Sequence, residues 1–384
     1  MAELLTVRER LLRAMRGQDL DRTPNAPRIW AWLMQHYGGQ GLDEHLHLAE
    51  EMPYDPLVTV SSALPNHIYS AERDHSQLAD VSVSLMKETH GDYEIISRVV
   101  STPARVLRDQ YRLGKSEAYG IAPNPYRIEH LVKTREDLDG LKYLLPDPAD
   151  PVYYSHARAE QDRAGDRALV ELRPSIGADH YLVDALGIDN CMILYYEDRQ
   201  FFDEALHLFH CYHQSALRWA CRSGADVILD SWYNFSLSAG WSPTIYREAF
   251  LPLVKENAAI VHEHGLLYHL YDDGKCSELL PDWAACGTDC VSTLPPPPIG
   301  DVDLAAAKEA AGDRVCLKGN VDLYQVIMLM QPAQIHEVVR DTLRAASRGG
   351  RFILSTSDSI RNGTPVDNVR AYMSAGREFG DAYL

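Results

Sequence analysis

Short β-rich runs alternate with amphipathic helical stretches through the second half of the chain, and this alternation limits the possible folds more than any other feature. Six such runs occur between residues 168 and 355, and several of the helical stretches between them end at a glycine, as helices commonly do. This alternation is typical of parallel strands covered by helices. Two earlier runs raise the number of predicted strands to eight. The predicted strands are residues 27–32, 56–60, 168–173, 226–230, 266–270, 290–294, 314–319 and 351–355.

Eight strands with intervening helices predict an α/β fold, a (β/α)8 TIM barrel that spans residues 1–384 as one domain, with an N-terminal helical extension. A doubly wound open sheet is the alternative, and the lack of a G-x-G-x-x-G motif after a strand disfavours it. Residues of about 80–130 instead suggest short antiparallel strands, with turns at His90–Gly91 and Thr102–Pro103. We expect this insertion either to cap the barrel or to pack against its floor.

Acidic residues outnumber basic ones by 55 to 37, which gives a formal net charge of −18. Nucleic acids and anionic membrane surfaces are therefore disfavoured as principal partners, because both are bound through basic surfaces. No apolar run approaches the ~18 residues that a membrane-spanning helix needs. The seven cysteines are odd in number and too sparse for a disulfide framework. Together these features predict a globular protein of the reducing cytoplasm.

Active sites of TIM barrels lie at the C-terminal ends of the strands, so the residues there are the candidates for chemistry. His269 stands near one such end and is followed by Asp272 and Asp273, while Asp358 follows another. One imidazole and two carboxylates can hold a divalent ion, with positions left open for water or substrate; zinc suits such a site, and manganese or iron also would. We therefore predict His269, Asp273 and Asp358 as metal ligands, with Asp272 as the substitute for Asp273. The alternative is a core histidine bonded to a backbone carbonyl.

Two arginines and one aspartate are candidates for substrate binding and proton transfer. Arg28 opens the first predicted strand and Arg173 ends the third, where a forked guanidinium could hold a substrate carboxylate. The alternative for each arginine is an ion pair with an acidic residue. Asp230 ends an apolar strand and precedes Trp232 and Tyr233, and aromatic surroundings would raise its pKa, as an acid–base role requires. The alternative is a carboxylate that caps the following loop.

Several segments together resemble a known family. Residues 7–24 read VRERLLRAMRGQDLDRTP, and residues 224–252 read GADVILDSWYNFSLSAGWSPTIYREAFLP. Further on come HLYDDG (269–274), LKGNVD (317–322) and a stretch at 353–380 that contains Gly-Thr-Pro-Val-Asp-Asn. In these segments the chain resembles the uroporphyrinogen decarboxylase superfamily, which also contains corrinoid-linked methyltransferases. The resemblance covers nearly the whole chain and implies a (β/α)8 barrel.

The resemblance implies two different chemistries. Coenzyme M methyltransferases of this superfamily hold zinc with a His-x-Cys pair and a later cysteine. Here His269 matches the histidine, Tyr271 or Asp273 replaces the first cysteine, and Asp358 replaces the second. Oxygen ligands would make the ion a stronger Lewis acid than thiolates do. The decarboxylases use no metal and carry an N-terminal R-Q-A-G-R motif, of which only Arg28 remains in that region.

Three functions are open at this point. The first is metal-dependent transfer of a methyl or other one-carbon group, with cobalamin supplied only by a partner corrinoid protein or similar donor. The second is metal-free decarboxylation, or a related lyase reaction, of a carboxylated, tetrapyrrole-like substrate held by Arg28 and Arg173, with Asp230 stabilising a protonated intermediate. The third is a binding protein without catalysis. Further candidates are Tyr271 for catalysis and Trp232 and Asn320 for substrate binding.

A homodimer is also expected. Residues 201–219 form an amphipathic helix whose aromatic rings provide more apolar surface than one barrel face should require. Two-fold dimers are the commonest soluble assembly. The alternative is a monomer in which these rings pack wholly inward.

Overall fold

The computed structural model describes residues 4–68, 78–115 and 125–384. The chain forms two compact units. The first comprises Met1–Ser62, Pro151–Ser175 and Leu217–Leu384, and the second comprises Ala63–Asp150 and Ile176–Ala216. Each unit has a sheet of its own, parallel in the first and antiparallel in the second.

A seven-stranded parallel sheet forms the centre of the first unit. Its strands lie side by side in the order in which they occur along the chain. This sheet confirms the predicted α/β architecture with parallel strands. The strands are β1 (Leu57–Ser61), β6 (Leu169–Arg173), β7 (Val227–Trp232), β8 (Leu267–Asp272), β9 (Cys290–Ser292), β10 (Cys316–Val321) and β11 (Phe352–Thr356).

The strand predicted at residues 27–32 is wrong. Helix α2 (Trp30–Tyr37) occupies the second half of that segment, and the segment begins with Pro27, which has no N–H to donate to a neighbouring strand. Strand-like pairing in this region is confined to Asn25 and Ala26, which precede the segment. The structure therefore has a curled seven-stranded sheet rather than a closed barrel of eight regular strands.

A short segment lies between the two edges of this sheet. Asn25 forms an isolated parallel bridge with Leu354 of β11, and the Ala26 N–H donates to the Leu354 carbonyl at 2.8 Å. On the other side, the Asp55 N–H, just before β1, donates to the Asn25 carbonyl at 2.7 Å. One residue thus takes the position of the eighth strand of a TIM-like barrel.

Helices alternate with the parallel strands. The predicted N-terminal helix is present as α1, which begins after Thr6, where the hydroxyl accepts the Glu9 N–H and the Glu9 carboxylate accepts the Thr6 N–H. It ends at Gly17, whose φ of 68° favours glycine. The helices of the first unit are α1 (Val7–Arg16), α2 (Trp30–Tyr37), α3 (Leu42–Glu51), α5 (His156–Ala164), α9 (Leu251–Glu263), α10 (Leu280–Ala285), α11 (Leu304–Ala311), α12 (Pro332–Ala346) and α13 (Val366–Phe379).

The inward face of the parallel sheet carries three layers of side chains, because alternate residues of a strand point to the same face. The floor layer is apolar and packs against Leu11 and Met15 of α1. The middle layer is polar at six of seven positions, and the mouth layer lies at the C-terminal ends of the strands. The floor layer is Leu57, Leu169, Val227, Leu267, Cys290, Cys316 and Ile353, the middle layer is Thr59, Glu171, Leu229, His269, Ser292, Lys318 and Ser355, and the mouth layer includes Ser61, Arg173, Ser231, Tyr271 and Asn320.

The second unit contains the predicted antiparallel insertion. The two predicted turns fall where strands β2 and β3, and then β3 and β4, are joined. In its core, Arg98 is fully buried and donates to both carboxylate oxygens of Asp109, to which Arg127 also donates. The strands are β2 (Ser82–His90), β3 (Tyr93–Ser101), β4 (Val106–Gly114) and β5 (Tyr126–Glu129), and the helices are α4 (Asp137–Leu141), α6 (Ala178–Leu186), α7 (Ile188–Glu197) and α8 (Arg199–Ala220), which continues into the first unit.

Two further features bear on the sequence-based expectations. Among the described residues, no helix combines the length and the apolar character needed to cross a membrane. All seven cysteines are described, and none forms a disulfide. Four of the five aromatic rings of α8 on which the dimer prediction rests are buried within the chain, so their apolar surface is accounted for without a partner. These four are Phe201, Phe202, Phe209 and Tyr212. The homodimer stays a prediction.

Candidate active site

His269 lies in the middle layer within a row of buried hydrogen bonds. Its Nδ1 is 2.7 Å from Oε2 of Glu171, and its Nε2 is 2.9 Å from Oγ of Ser292. The other carboxylate oxygen of Glu171 accepts a hydrogen bond from Oγ1 of Thr59 at 2.6 Å. Burial acts to raise the pKa of Glu171, but the charge and hydrogen bond of His269, with smaller contributions from Thr59 and Lys318, outweigh it and lower that pKa. Side chains, rather than a backbone carbonyl, thus engage both ring nitrogens.

Lys318 also lies in the middle layer, on β10. Its side chain is buried, and its Nζ donates to Oγ of Ser355 at 3.0 Å. Burial lowers the pKa of Lys318 to about 8, while the Glu171 carboxylate acts in the opposite direction and Arg28 in the same one. A buried lysine near neutrality is uncommon, and such groups concentrate at functional sites.

Above the middle layer, two arginines and two tyrosines form a row at the mouth. The guanidinium of Arg28 lies 4.2 Å from the centroid of the Tyr271 ring, and that ring lies 4.9 Å from the ring of Tyr233. The guanidinium of Arg173 lies 5.6 Å from the Tyr233 ring. Aromatic faces attract cations at these distances. The arrangement therefore holds one guanidinium against each ring of a tyrosine pair.

Two carboxylates lie beside this row. Nη2 of Arg361 is 2.5 Å from Oδ2 of Asp358, whereas Nη1 of Arg28 is 3.8 Å from Oδ1. The Tyr271 hydroxyl donates to Oδ2 of Asp273 at 3.3 Å. Burial and then the nearby charge of Asp358 raise the pKa of Asp273, and Arg28, Tyr271 and Arg361 act against them. Asp273 therefore keeps its proton to a higher pH than an exposed aspartic acid does.

The three predicted metal ligands do not form one ligand set. Within the described ranges, no group of three or more His, Cys, Asp or Glu side chains is arranged to hold a metal ion. His269 has both ring nitrogens bonded in the middle layer, while Asp273 and Asp358 lie at the mouth beside arginines. Asp272, the substitute for Asp273, is buried on the opposite face of β8 from Tyr271. The donor types suit zinc, but the structure does not bring these three side chains together around one ion, so the zinc centre stays a prediction.

Asp230 faces the helices rather than the inward side of the sheet. Its Oδ2 accepts hydrogen bonds from the Tyr268 hydroxyl at 2.6 Å and from Nδ2 of Asn257, on α9, at 2.9 Å. Trp232 lies on the same face of β7 and packs against Phe235, with ring centroids 5.7 Å apart. Neither side chain reaches the cluster at the mouth.

The structure thus brings some predicted residues together and separates others. Those at the mouth are Arg28, Arg173, Tyr271, Asp273, Asn320 and Asp358, and those elsewhere are His269, Asp230 and Trp232. Sequence reasoning missed Glu171, Ser292, Lys318 and Arg361. For Lys318 there was a usable signal, namely a lysine inside a strand predicted to be buried on both faces.

Comparison with known proteins identifies the family. The family described as uroporphyrinogen decarboxylase (URO-D) matches residues 69–379. The chain belongs to this family. The resemblance predicted from the sequence is therefore confirmed. Two URO-D relatives, both named uroporphyrinogen decarboxylase, align with the chain almost end to end. The protein from Dichelobacter nodosus is 23% identical over 97% of this chain and 98% of its own length, and that from Crocosphaera subtropica is 24% identical over 96% and 95%.

A solved structure has a fold similar to that of this URO-D family member. A methyltransferase from Methanosarcina mazei matches with a TM-score of 0.67, covering 98% of this chain and 99% of its own. The two chains are 18% identical, so the likeness establishes the shared fold and not the reaction.

Proposed function

We propose that this URO-D family member is a decarboxylase, or a closely related lyase, that acts on a substrate carrying carboxylate groups. The observation that carries the proposal is the state of Arg28. Its Nη1 is buried and makes no hydrogen bond within the part of the chain that the structure describes. A buried donor that makes no hydrogen bond costs on the order of 1–3 kcal/mol. Nη1 lies 3.8 Å from Oδ1 of Asp358, and a substrate carboxylate at hydrogen-bond distance would recover that cost.

The mouth offers two positions for carboxylates. Arg28 and Arg173 stand against different rings of the Tyr233–Tyr271 pair, so one guanidinium lies at each ring of this pair. The distance of 3.8 Å from Arg28 to Asp358 is long for a charge-assisted hydrogen bond, and Asp358 has a closer partner in Arg361. Arg28 is therefore the cation best placed to receive a carboxylate.

Decarboxylation breaks the bond between carbon and the carboxylate, and the electron pair stays on the carbon until a proton arrives. Asp273 can supply that proton, because its raised pKa keeps it protonated at higher pH than an ordinary aspartic acid. The hydroxyl of Tyr271 is directed at Oδ2 of Asp273 and holds the carboxyl group at the mouth. In this proposal Tyr271 has the catalytic setting that was predicted for it, and Asp273 replaces Asp230 as the acid.

The test is enzyme-dependent release of CO2. Uroporphyrinogen and smaller carboxylated compounds would be supplied to the wild-type protein and to Arg28→Gln. A matched control is Arg8→Gln on α1, which removes a partly exposed ion pair between Arg8 and Asp226. We expect release by the wild type and Arg8→Gln and its loss in Arg28→Gln. Equal release by Arg28→Gln would contradict the proposal.

Methyl transfer is the second candidate, because the chain resembles corrinoid-linked methyltransferases and a solved neighbour is named a methyltransferase. In that case a corrinoid protein is the proposed partner and zinc the proposed cofactor. His269 would first have to leave Glu171 or Ser292 to bind the ion. Demethylation of methylcobalamin in the presence of a thiol acceptor, dependent on His269, would favour this candidate over decarboxylation.

Location and assembly belong to the same proposal. We place the protein in the reducing cytoplasm because its seven cysteines form no disulfide. Light scattering across a dilution series tests the proposed homodimer, and a constant mass near 43.2 kDa would contradict it.

A further inference from the structure

Lys318 is the strongest unassigned group in the molecule. Its Nζ has one hydrogen-bond partner, the Ser355 hydroxyl, and within the described ranges it forms no ion pair. An ammonium group has three protons to donate, so a single acceptor in a buried site leaves the charged form poorly compensated. The neutral amine, which is a nucleophile, is correspondingly favoured.

The polar neighbours of Lys318 belong to the same middle layer of the sheet. On the adjacent strand β9, Ser292 is in register with Lys318 and belongs to the Glu171–His269–Ser292 row. Glu171 has its two oxygens engaged by Thr59 and His269, so it influences Lys318 through its charge rather than through a direct bond.

The mouth layer above Lys318 includes two short polar side chains besides Arg173 and Tyr271. Asn320, two residues further along β10, and Ser231 of β7 lie in the mouth layer, so the amine is one layer below the arginines. Arg28 is near enough for its charge to affect Lys318. A substrate bound through a carboxylate at Arg28 would have to extend one layer into the sheet to meet this amine.

We propose that Lys318 forms an imine with a ketone of the substrate, so that the substrate class is a 3-oxo acid. The inference rests on the proposed decarboxylase function and deepens it. It assigns to one buried lysine the electron-accepting role that decarboxylation requires.

The reaction balances without any oxidant or reductant. The neutral amine of Lys318 attacks the ketone carbon, water leaves, and a protonated imine forms. The bond to the carboxylate then breaks, CO2 departs, and its electron pair forms a carbon–carbon double bond as the imine nitrogen becomes neutral. A proton, supplied by Asp273, adds to the carbon, and water hydrolyses the resulting imine to release the ketone and restore Lys318. One proton is taken up from solvent when the protonated imine forms and one is released when it is hydrolysed. The net change is therefore one 3-oxo carboxylate anion and one proton, the one that Asp273 supplies, converted to a ketone and CO2.

The deciding experiment is reductive trapping on the wild-type protein. The protein is incubated with 3-oxoglutarate, whose two carboxylates flank a ketone, or with acetoacetate, and is then treated with sodium borohydride. Intact-mass measurement and peptide mapping locate the adduct. We expect a secondary amine at Lys318 that requires both the oxo acid and borohydride.

Two variants provide controls. Lys318→Arg keeps a cation at the position and should lose the adduct completely, with folding checked by circular dichroism. Lys308→Gln removes another partly buried lysine, whose Nζ contacts the Gly350 carbonyl, and should retain the adduct. Retention of the adduct in Lys318→Arg would overturn the assignment.

Parallel measurement of CO2 separates the two proposals. Enzyme-dependent CO2 release without an adduct at Lys318 overturns the imine and leaves the decarboxylase function in place. An adduct without CO2 release supports the reactive lysine and overturns decarboxylation of that substrate class. Absence of both overturns the imine and the 3-oxo acid assignment, and CO2 release from other carboxylated substrates then decides the proposed function by itself.

Discussion

The floor layer and the middle layer are two residues apart on the same seven strands, yet they use opposite chemistry. The floor layer is apolar at every position and packs on α1. The middle layer contains a carboxylate, an imidazole, an amine and hydroxyls that depend on one another for hydrogen bonds. Apolar packing tolerates exchange of residues of similar volume, whereas a buried polar group needs its particular partner. We infer that the floor end supplies stability and that the other two layers supply chemistry.

The largest effect is expected at the mouth. Asp273→Asn should reduce kcat/KM for CO2 release by about 10²–10⁴-fold, because the general acid is removed while the shape is kept. The free energy of unfolding should not fall, because a carboxyl with a raised pKa destabilises the folded state once pH exceeds its ordinary pKa. Asp303→Asn, which alters the N-cap of α11, is the control and should leave kcat/KM unchanged. Similar losses in both variants would break the proposed division of roles.

The opposite result is expected at the floor. Leu169→Ala should reduce the free energy of unfolding by about 2–5 kcal/mol, because it leaves a cavity in a fully buried cluster. Activity per folded molecule should stay close to that of the wild type. Urea unfolding and an active-site-normalised assay measure the two quantities. A large loss of kcat with normal stability would show that the floor participates in the chemistry.

The middle layer should respond to pH. The pKa of Lys318 is about 8 in the folded chain, below its ordinary 10.5, so the unfolded chain binds more protons between these values. The Lys318 contribution to stability therefore rises as pH increases from about 8 to 10.5, by about 3 kcal/mol. The difference in unfolding free energy between wild type and Lys318→Met, followed from pH 7 to pH 10, isolates this contribution. A difference that does not vary with pH would contradict the buried, uncompensated amine.

A smaller effect is expected for Arg28→Lys. The charge remains, but the forked guanidinium and its contact with the Tyr271 ring are lost. We expect KM to rise about tenfold, which corresponds to about 1.4 kcal/mol, with kcat less affected. Steady-state kinetics on the carboxylated substrate provide the measurement. An unchanged KM would mean that Arg28 acts only as a point charge or does not bind substrate.

The smallest effect is expected from a chelator. Because His269 is bonded at both nitrogens and no ligand set is assembled in the described part of the chain, incubation with EDTA should leave CO2 release unchanged. Elemental analysis accompanies the assay. One equivalent of zinc that disappears in His269→Ala would instead support the metal-dependent methyl-transfer candidate.

Much of the fold could be predicted from the sequence because helix and strand periodicities are local. The strand predicted at 56–60 is Leu57–Ser61, and that predicted at 168–173 is Leu169–Arg173. The orientation of Asp230 could not be predicted, because strands buried on both faces are apolar throughout and alternation does not reveal which residues point inward. A strand of mixed polarity, such as Cys316–Val321, carries that information, and its lysine could have been recognised.

Part of the candidate site could be predicted because strand ends can be located from local sequence patterns. Residues at strand ends could be named because TIM-like folds gather those ends, and Tyr271, Asp273 and Asp358 do lie together at the mouth. Arg28 joins them although the strand predicted to begin there is absent. The partner of His269 could not be named, because Glu171 is 98 residues away and no spacing rule connects them. Which of two adjacent aspartates reaches the mouth depends on the chain path beyond β8, which periodicity does not determine.

The position of α1 also limits the paths by which substrate can enter the site and products can leave it. Leu11 and Met15 pack on the floor layer, so that end of the sheet is filled by apolar side chains in the part of the chain that the structure describes. Substrate entry and departure of both products would then share the mouth, past Arg28 and Tyr271. A small neutral gas such as CO2 can leave past a bound organic product, whereas the charged product must first separate from the arginines. Departure of the organic product, rather than of the gas, is thus the step whose rate the mouth residues govern.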